Sequence, residues 1–497
     1  MTSAPKDQAF DTTLQQDPKK SIKKGFVWIG IFSTVSQILS ALTMFVVVWF
    51  LDTESLGLAT MAMAVGVVFE AFHSLGMDKA LVQDKALTLQ ETHSVFWFGS
   101  AYGIVLYLLA MPIAWISAWF YNIPELVPLT LVMMLKMPLN SIAFVPWQII
   151  NRRFEFNKSS VGQAVSTFAS CASKIGFAVA GFGAWALVLG ELAYAITALI
   201  FAFSAAHYLP ALHFRFSECR RFVIYGAKYM VSNLLDQLSK NLHYLIVGKC
   251  LGEGILGVYR IAYELAMTPA LALFNVVARS SFPIFSRLQD DRASLSRLFA
   301  WNQKNLALFA AIPTVLILFA AIDIFELMPN ESWRGATTII PFVLCVSFVK
   351  SLMQTYPDLF RACGKPLWPL YFLIAEAAFI AAAFCATLYL IPNIQGLNVA
   401  LLLWCGFLAL LSLVYGKAAR KFVDTNTRSL LSNVAHGMGF IVLSTAFSLP
   451  FYLFRSALPF NPWTHLAIEL VVIVVCLFVY VRLVLKGKMK DFIKMKK

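Results

Sequence analysis

The chain has 497 residues, of which 59% are hydrophobic and 13% charged, with a mean hydropathy of +0.73, values that exclude an ordinary soluble globule. Its net charge of +14 does not indicate nucleic acid, because the lysines and arginines are scattered between apolar segments with no stacking platform among them. The eight cysteines form no CxxC pair and most fall in apolar segments, so neither a disulfide framework nor a metal site is expected.

In chain order, residues 1–24 are polar, end in KKSIKK and read as a cytoplasmic tail. The apolar run that follows exceeds a signal-peptide core, so it reads as an uncleaved first helix. A spanning helix needs roughly 20 apolar residues. Segments of that kind are expected at 25–51, 57–82, 94–120, 126–150, 159–181, 184–208, 222–248, 254–283, 299–322, 335–361, 367–391, 396–416, 432–454 and 463–485. This predicts an all-α polytopic membrane protein of about 14 helices. The even-numbered connections carry the cations: Lys79 and Lys85; Arg152, Arg153 and Lys158; Arg215, Arg220 and Arg221; Arg287, Arg292 and Arg297; Arg361 and Lys365; Lys417, Arg420, Lys421 and Arg428. The odd-numbered ones hold only Lys249, Arg334 and Arg455, an asymmetry that puts both termini in the cytoplasm.

GIFSTVSQILSAL from Gly30 and GAKYMVSNLLDQL from Gly226 share G-x-x-x-x-V-S-x-x-L-x-x-L, and each is followed by an LG pair, Leu56–Gly57 and Leu256–Gly257. The first and seventh helices therefore correspond. Two six-helix lobes of equal orientation follow, 25–208 and 222–417, joined by a cytoplasmic segment 209–221 and related by a pseudo-two-fold axis along the membrane normal. Residues 418–497 add the last two helices and a basic tail.

Seven cations stand at membrane depth: Lys136, Lys174, Lys228, Lys240, Arg260, Lys304 and Lys350. The acids there are Glu70, Glu191, Asp236, Glu264, Glu376 and Glu469. A bare charge at the bilayer centre costs roughly 2.5 to 3.5 kcal/mol even on lenient scales, so these side chains should face protein or water. Asp236 with Lys240 and Arg260 with Glu264 are i,i+4 pairs that could serve structure alone. Lys228 and Lys304 lie near cytoplasmic ends and could reach lipid phosphates. Lys136, Lys174 and Lys350 have no acid three or four residues away and are the stronger candidates for an anionic ligand, phosphate above all, with Arg260 able to fork two oxygens. Pro138, Pro146, Pro269, Pro313, Pro341 and Pro357 interrupt the spans and would suit alternating access.

No Gly-Lys pair is followed by Ser or Thr, so no P-loop is present, and HExxH and GxSxG are absent. The DTE at 52–54 has the look of an acidic catalytic dyad but reads better as a solvated turn. No cofactor is expected, nor is the chain expected to be an enzyme.

SLGLATMAMAVGVVFEAFHSLGMDKALVQDKALTLQETHSVFWF (55–98), PWQIINRRFEF (146–156), GFGAWALVLGELA (181–193), GEGILGVYRIAYELAMTP (252–269) and FPIFSRLQDD (282–291) resemble the bacterial polysaccharide-transporter family of oligosaccharide flippases, nearest to exporters of the colanic-acid type. The resemblance covers most of 22–300. It implies the superfamily of the multidrug antiporters and the peptidoglycan lipid flippase, and a substrate of undecaprenyl-pyrophosphate-linked oligosaccharide moved from the cytoplasmic to the periplasmic leaflet of the inner membrane. Such a substrate is anionic, in keeping with the intramembrane cations. Expected partners are that lipid, the surrounding membrane lipids, and the polymerase and glycosyltransferases of the same pathway. Members often carry Asn-x-Asp late in the seventh helix, whereas NLHY here sets His243 where the acid would stand. That puts carboxylate-based coupling at this position in doubt; His243 could titrate near neutral pH or be a hydrogen-bonded core residue, and it stands with Asp236, Glu264 and Glu70 among the counter-ion or coupling candidates. Two rival readings are a cation-coupled multidrug antiporter on the same scaffold, for which the first span offers no acid, and a membrane glycosyltransferase or polymerase, for which the outer loops are too short.

Overall fold

Inside a bilayer the backbone has no water to bond, so apolar segments of this length must satisfy their N–H and C=O groups internally, as helices. The computed structural model of the chain describes residues 18–482 apart from 71, 74, 85–86, 154, 366, 425–426, 454–460 and 481. It is helical over 88%, with no strand among the described residues. Ten helical segments there are long and apolar enough to cross a membrane. The remaining predicted spans, expected at 159–181, 222–248, 254–283 and 432–454, are helical over 159–179, 222–248, 254–283 and 432–453, so a count of fourteen is compatible with this fold.

Contacts divide the chain into two compact units, Met1–Gly257 and Val258–Lys497. The first holds α1 (Pro18–Phe50), α2 (Thr53–Glu70), α3 (Met77–Gln83), α4 (Leu89–Tyr121), α5 (Leu126–Met134), α6 (Lys136–Arg152), α7 (Phe156–Val179), α8 (Ala184–Ala206) and most of α9 (Phe216–Arg287). Helix α7 packs between α1 and α8, while α6 packs on α4 and α8. Ile31, Val35, Ile38, Leu42, Val46 and Trp49 form an exposed stripe at helical spacing along α1, the face such a helix presents to lipid. A cluster of Met77, Leu81, Phe96, Phe144, Ile150, Tyr208 and Phe222 closes one end of this unit.

Local chemistry sets the breaks. Helix α4 starts at a capping box in which the Thr88 hydroxyl accepts from the Glu91 N–H and the Glu91 carboxylate accepts from the Thr88 N–H. Gly252, at φ 79°, divides α9 into the two helices expected there. The span expected over 57–82 is not continuous: α2 stops at Glu70 and α3 resumes at Met77, because Leu75 (φ 48°) and Gly76 (φ 70°) lie in the left-handed region that a right-handed helix cannot pass through. The His73 carbonyl freed by this interruption accepts from the Ser141 hydroxyl at 2.9 Å.

Proline breaks one helix in each unit at the same offset. Pro138 has no N–H for the Met134 carbonyl, and the helix is interrupted at Leu135, between α5 and α6. In the second unit Pro357 denies Met353 its donor, and the break falls at Gln354, between α11 (Ala336–Met353) and α12 (Thr355–Ala362). This unit also contains α10 (Arg292–Glu326), α13 (Leu367–Leu390), α14 (Ile394–Ala419), α15 (Thr427–Leu453) and α16 (Pro462–Tyr480). The last two pack on α10, around Ala307, Val315, Phe319, Phe440, Ile473 and Tyr480.

The segment between α8 and α9 is pinned to the start of α4. Trp97 Nε1 donates to the Ala211 carbonyl at 2.8 Å, and His93 Nδ1 accepts from the Ala211 N–H at 3.2 Å and the Tyr208 hydroxyl at 2.9 Å. Ser94 Oγ donates to Glu218 at 2.6 Å, which together with His213 holds the Glu218 carboxyl below its ordinary 4.5.

Candidate functional site

In the first unit four helices bring charges to one place. Glu70 ends α2, Lys136 begins α6 just after the proline break, Lys174 lies on α7 and Glu191 on α8. Lys136 Nζ is 2.8 Å from Glu70 and 3.7 Å from Glu191, while Lys174 Nζ is 2.8 Å from Glu191. Asn140, one turn beyond Lys136, donates to Glu70 at 3.0 Å. Tyr194 lies within electrostatic reach of Glu191, Glu70 and Lys136. Lys136 is only 6% exposed, so its partners carry nearly all of the compensation that water would otherwise supply. Gly190 makes this packing possible, because a Cβ there would collide with the Lys174 stem.

The second unit answers the same problem with one acid and an indole. Lys350, near the end of α11, is 2.8 Å from Glu376 on α13. Its ammonium sits 5.0 Å from the ring centroid of Trp404 on α14, whose Nε1 donates to the same Glu376 at 3.3 Å. Tyr263 stacks on that indole with 7° between the planes.

Lys136, Lys174 and Lys350 have no acid three or four residues away along their own helices, and the structure supplies each with one from elsewhere. Each is ion-paired at 2.8 Å, with an acid from another helix. The first cluster, two lysines against two glutamates, is formally neutral, as is the Lys350–Glu376 pair.

The same-helix pairs form as expected. Lys240 Nζ is 2.6 Å from Asp236, with both side chains open, and Arg260 gives Nε and a terminal nitrogen to Glu264 Oε1 at 2.9 and 2.6 Å. His243 is fully buried, its ring centroid 4.2 Å from that of Tyr244. Lys304 is half-buried on α10. Lys228 belongs to α9, and its side chain lies outside the described residues. Trp404, Tyr263, Tyr194 and Gly190 escaped the sequence reading. Of these only Gly190, placed directly before Glu191 in an otherwise bulky helix, left a signal.

With this geometry in hand, the fold can be placed. Over 91% of this chain and 98% of the other it matches the solved structure "Lipid II flippase MurJ, inward closed conformation", with a TM-score of 0.68 at 11% identity. The chain therefore shares the fold of that structure, a polytopic bundle of helices. Residues 46–337 match the family described as "Polysaccharide biosynthesis protein", and the chain belongs to that family. It is 23% identical over 351 residues to the "Lipopolysaccharide biosynthesis protein WzxC" of Escherichia coli (strain K12), covering 69% of this chain and 70% of that one. It is also 23% identical over 312 residues to the "Succinoglycan biosynthesis transport protein ExoT" of Rhizobium meliloti (strain 1021), covering 61% and 63%.

Proposed function

We propose that this protein carries an undecaprenyl-pyrophosphate-linked oligosaccharide from the cytoplasmic to the periplasmic leaflet by alternating access, for export of an exopolysaccharide or O-antigen-type polysaccharide. The observation that carries this reading is the set of three lysines at membrane depth, each held by a carboxylate of a different helix, in a member of the polysaccharide biosynthesis family. Two relatives whose names speak of lipopolysaccharide biosynthesis and succinoglycan transport support the substrate class.

The carboxylates hold the ammonium groups of Lys136, Lys174 and Lys350 in place while no substrate is bound. An arriving pyrophosphate offers oxygens that compete for the same ammonium donors. A lysine suits this exchange because its three donors turn freely about a point charge, whereas an arginine fork would commit to one plane. Arg260 is that second kind of donor, already forked onto Glu264. Lys240, Lys228 and Lys304 complete the proposed cationic path, with Asp236, Glu264, Glu70 and His243 as the counter-ion or coupling groups. A polar passage spares the sugars and pyrophosphate the cost of crossing hydrocarbon, several kcal/mol for each unsatisfied polar group. An inside-negative potential would assist an outgoing anion by about 2.3 kcal/mol per charge per 100 mV.

In this reading the protein resides in the inner membrane with both termini cytoplasmic, and is divided into lobes 25–208 and 222–417 and a C-terminal pair of helices within 418–497. Its partners are the lipid-linked oligosaccharide, membrane lipids, and the polymerase and glycosyltransferases that use or supply the repeat unit. The reading makes it a transporter and not an enzyme.

The test loads the inner leaflet of right-side-out vesicles with lipid-linked oligosaccharide and follows its appearance outside, comparing the native protein with Lys136→Ala, Lys174→Ala and Lys350→Ala. Exposure that depends on the protein and falls in the three variants despite normal insertion is the expected result. Equal exposure with and without the protein would remove the flippase reading and leave the multidrug antiporter ahead.

A further inference from the structure

The glycines of the repeated motif do something that neither the ion pairs nor the substrate reading uses. Within the first unit, Gly57 on α2 and Gly257 on the later part of α9 meet face to face. A Cβ on Gly57 would collide with the Glu253 carbonyl, four residues before Gly257. A Cβ on Gly257 would collide with the Thr53 carbonyl, four residues before Gly57. The contact is reciprocal, backbone on backbone, and the two residues are the glycines of the two LG pairs. At the turn between α2 and α3 the arrangement recurs: a Cβ on Gly76 would collide with the Gly226 carbonyl, and one on Gly226 with the Leu75 carbonyl. Gly226 opens the second copy of the motif. Its counterpart Gly30 meets nothing within 4 Å among the described residues, so the need for glycine follows the contact and not the motif.

Backbones approach this closely only where both helices lack side chains, which lets dispersion and weak Cα–H···O contacts form without burying any polar group that would be left unsatisfied on separation. Such a seam opens and recloses at low cost, unlike an ion pair. We propose that Gly57 with Gly257, and Gly76 with Gly226, are two backbone latches that close α2–α3 against α9 at its outer and inner ends, and that each must part in turn during the transport cycle. The inference rests on the transport reading for its second half only, since the latches themselves are conformational.

The experiment replaces the native cysteines with serine or alanine and introduces Thr53→Cys with Gly254→Cys. A Cβ on Gly254 lies 3.9 Å from Thr53 Oγ1, within reach of a disulfide when the outer latch is shut. Oxidation should crosslink this pair rapidly. Adding Gly257→Ala should slow crosslinking about tenfold or more, while adding Gly30→Ala should leave it unchanged. Crosslinking indifferent to Gly257→Ala would overturn the latch. In vesicles the crosslinked protein should expose no lipid-linked oligosaccharide and recover on reduction, a test that needs no glycine substitution to fold. Undiminished transport in the crosslinked state would show that the seam does not part in the cycle. Glycine-dependent crosslinking alongside no protein-dependent transport would instead fault the flippase reading and leave the latch standing.

Discussion

The two units each hold a lysine near a proline-broken helix, Lys136 buried and Lys350 half-buried, and they neutralise it differently. In the first, Lys136 is shared between Glu70 and Glu191, and Lys174 joins through the second acid, so four helices hang on one network. In the second, Lys350 has the single acid Glu376, and the Trp404 ring face and N–H supply what a second carboxylate supplies elsewhere. The lesson is one of sharing: each carboxylate keeps a second donor, Glu70 from Asn140, Glu191 from Lys174 and Glu376 from Trp404, but Lys136 is the more deeply buried ammonium and the one that serves two acids.

The largest expected effect tests that difference directly. Lys136→Ala takes a buried ammonium away from two half-buried carboxylates that keep Asn140 and Lys174, and should cost up to about 3–5 kcal/mol, the range for breaking one partner out of a fully buried pair. Lys350→Ala should cost roughly 1–3 kcal/mol, because Glu376 retains its hydrogen bond from Trp404. Denaturant titration in detergent compares the two, and equal losses would break the comparison. Gly190→Ala should come next, at about 1–3 kcal/mol, since the added methyl group displaces the Lys174 stem. Thermal melts beside Gly406→Ala, where a Cβ meets nothing within 4 Å among the described residues, give the baseline. Trp404→Phe keeps a ring near Lys350 but removes the N–H, and should cost about 0.5–1.5 kcal/mol by the same titration. Asp236→Asn should change stability by less than about 1 kcal/mol, because that pair is open and its charges are already screened.

The smallest effect concerns the pinned segment before α9. Glu218 has a lowered pKa in the folded protein, so its stabilising contribution is full above the ordinary 4.5 and is lost as pH falls below it. Ser94→Ala removes the chief cause and should move that loss to higher pH, toward 4.5. Proteolytic cleavage within 207–215, followed against pH, reads it out.

Much of the helical plan could be read from hydropathy and the positions of cations. The LG pairs could be read as a repeat, and the structure adds that Gly57 and Gly257 touch. What stayed hidden were pairings between helices. Counting three and four residues along one helix finds Asp236–Lys240 and Arg260–Glu264, but Lys136, Lys174 and Lys350 take their acids from other helices, where no sequence spacing applies. The interruption between Glu70 and Met77 was also invisible, because FEAFHSLGM is apolar enough to pass for continuous helix and the left-handed turn rests on Leu75 as well as Gly76.

The cluster that closes one end of the first unit draws on residues far apart in synthesis. Met77 and Phe96 emerge early, but they pack against Tyr208, Cys219 and Phe222. Gly57 must wait longer still, for Glu253. A ribosome that has released only the chain through α8 therefore presents the insertion machinery with a unit uncapped at that cluster, and chain termination anywhere before about residue 222 should leave a product that inserts but is cleared by membrane proteases.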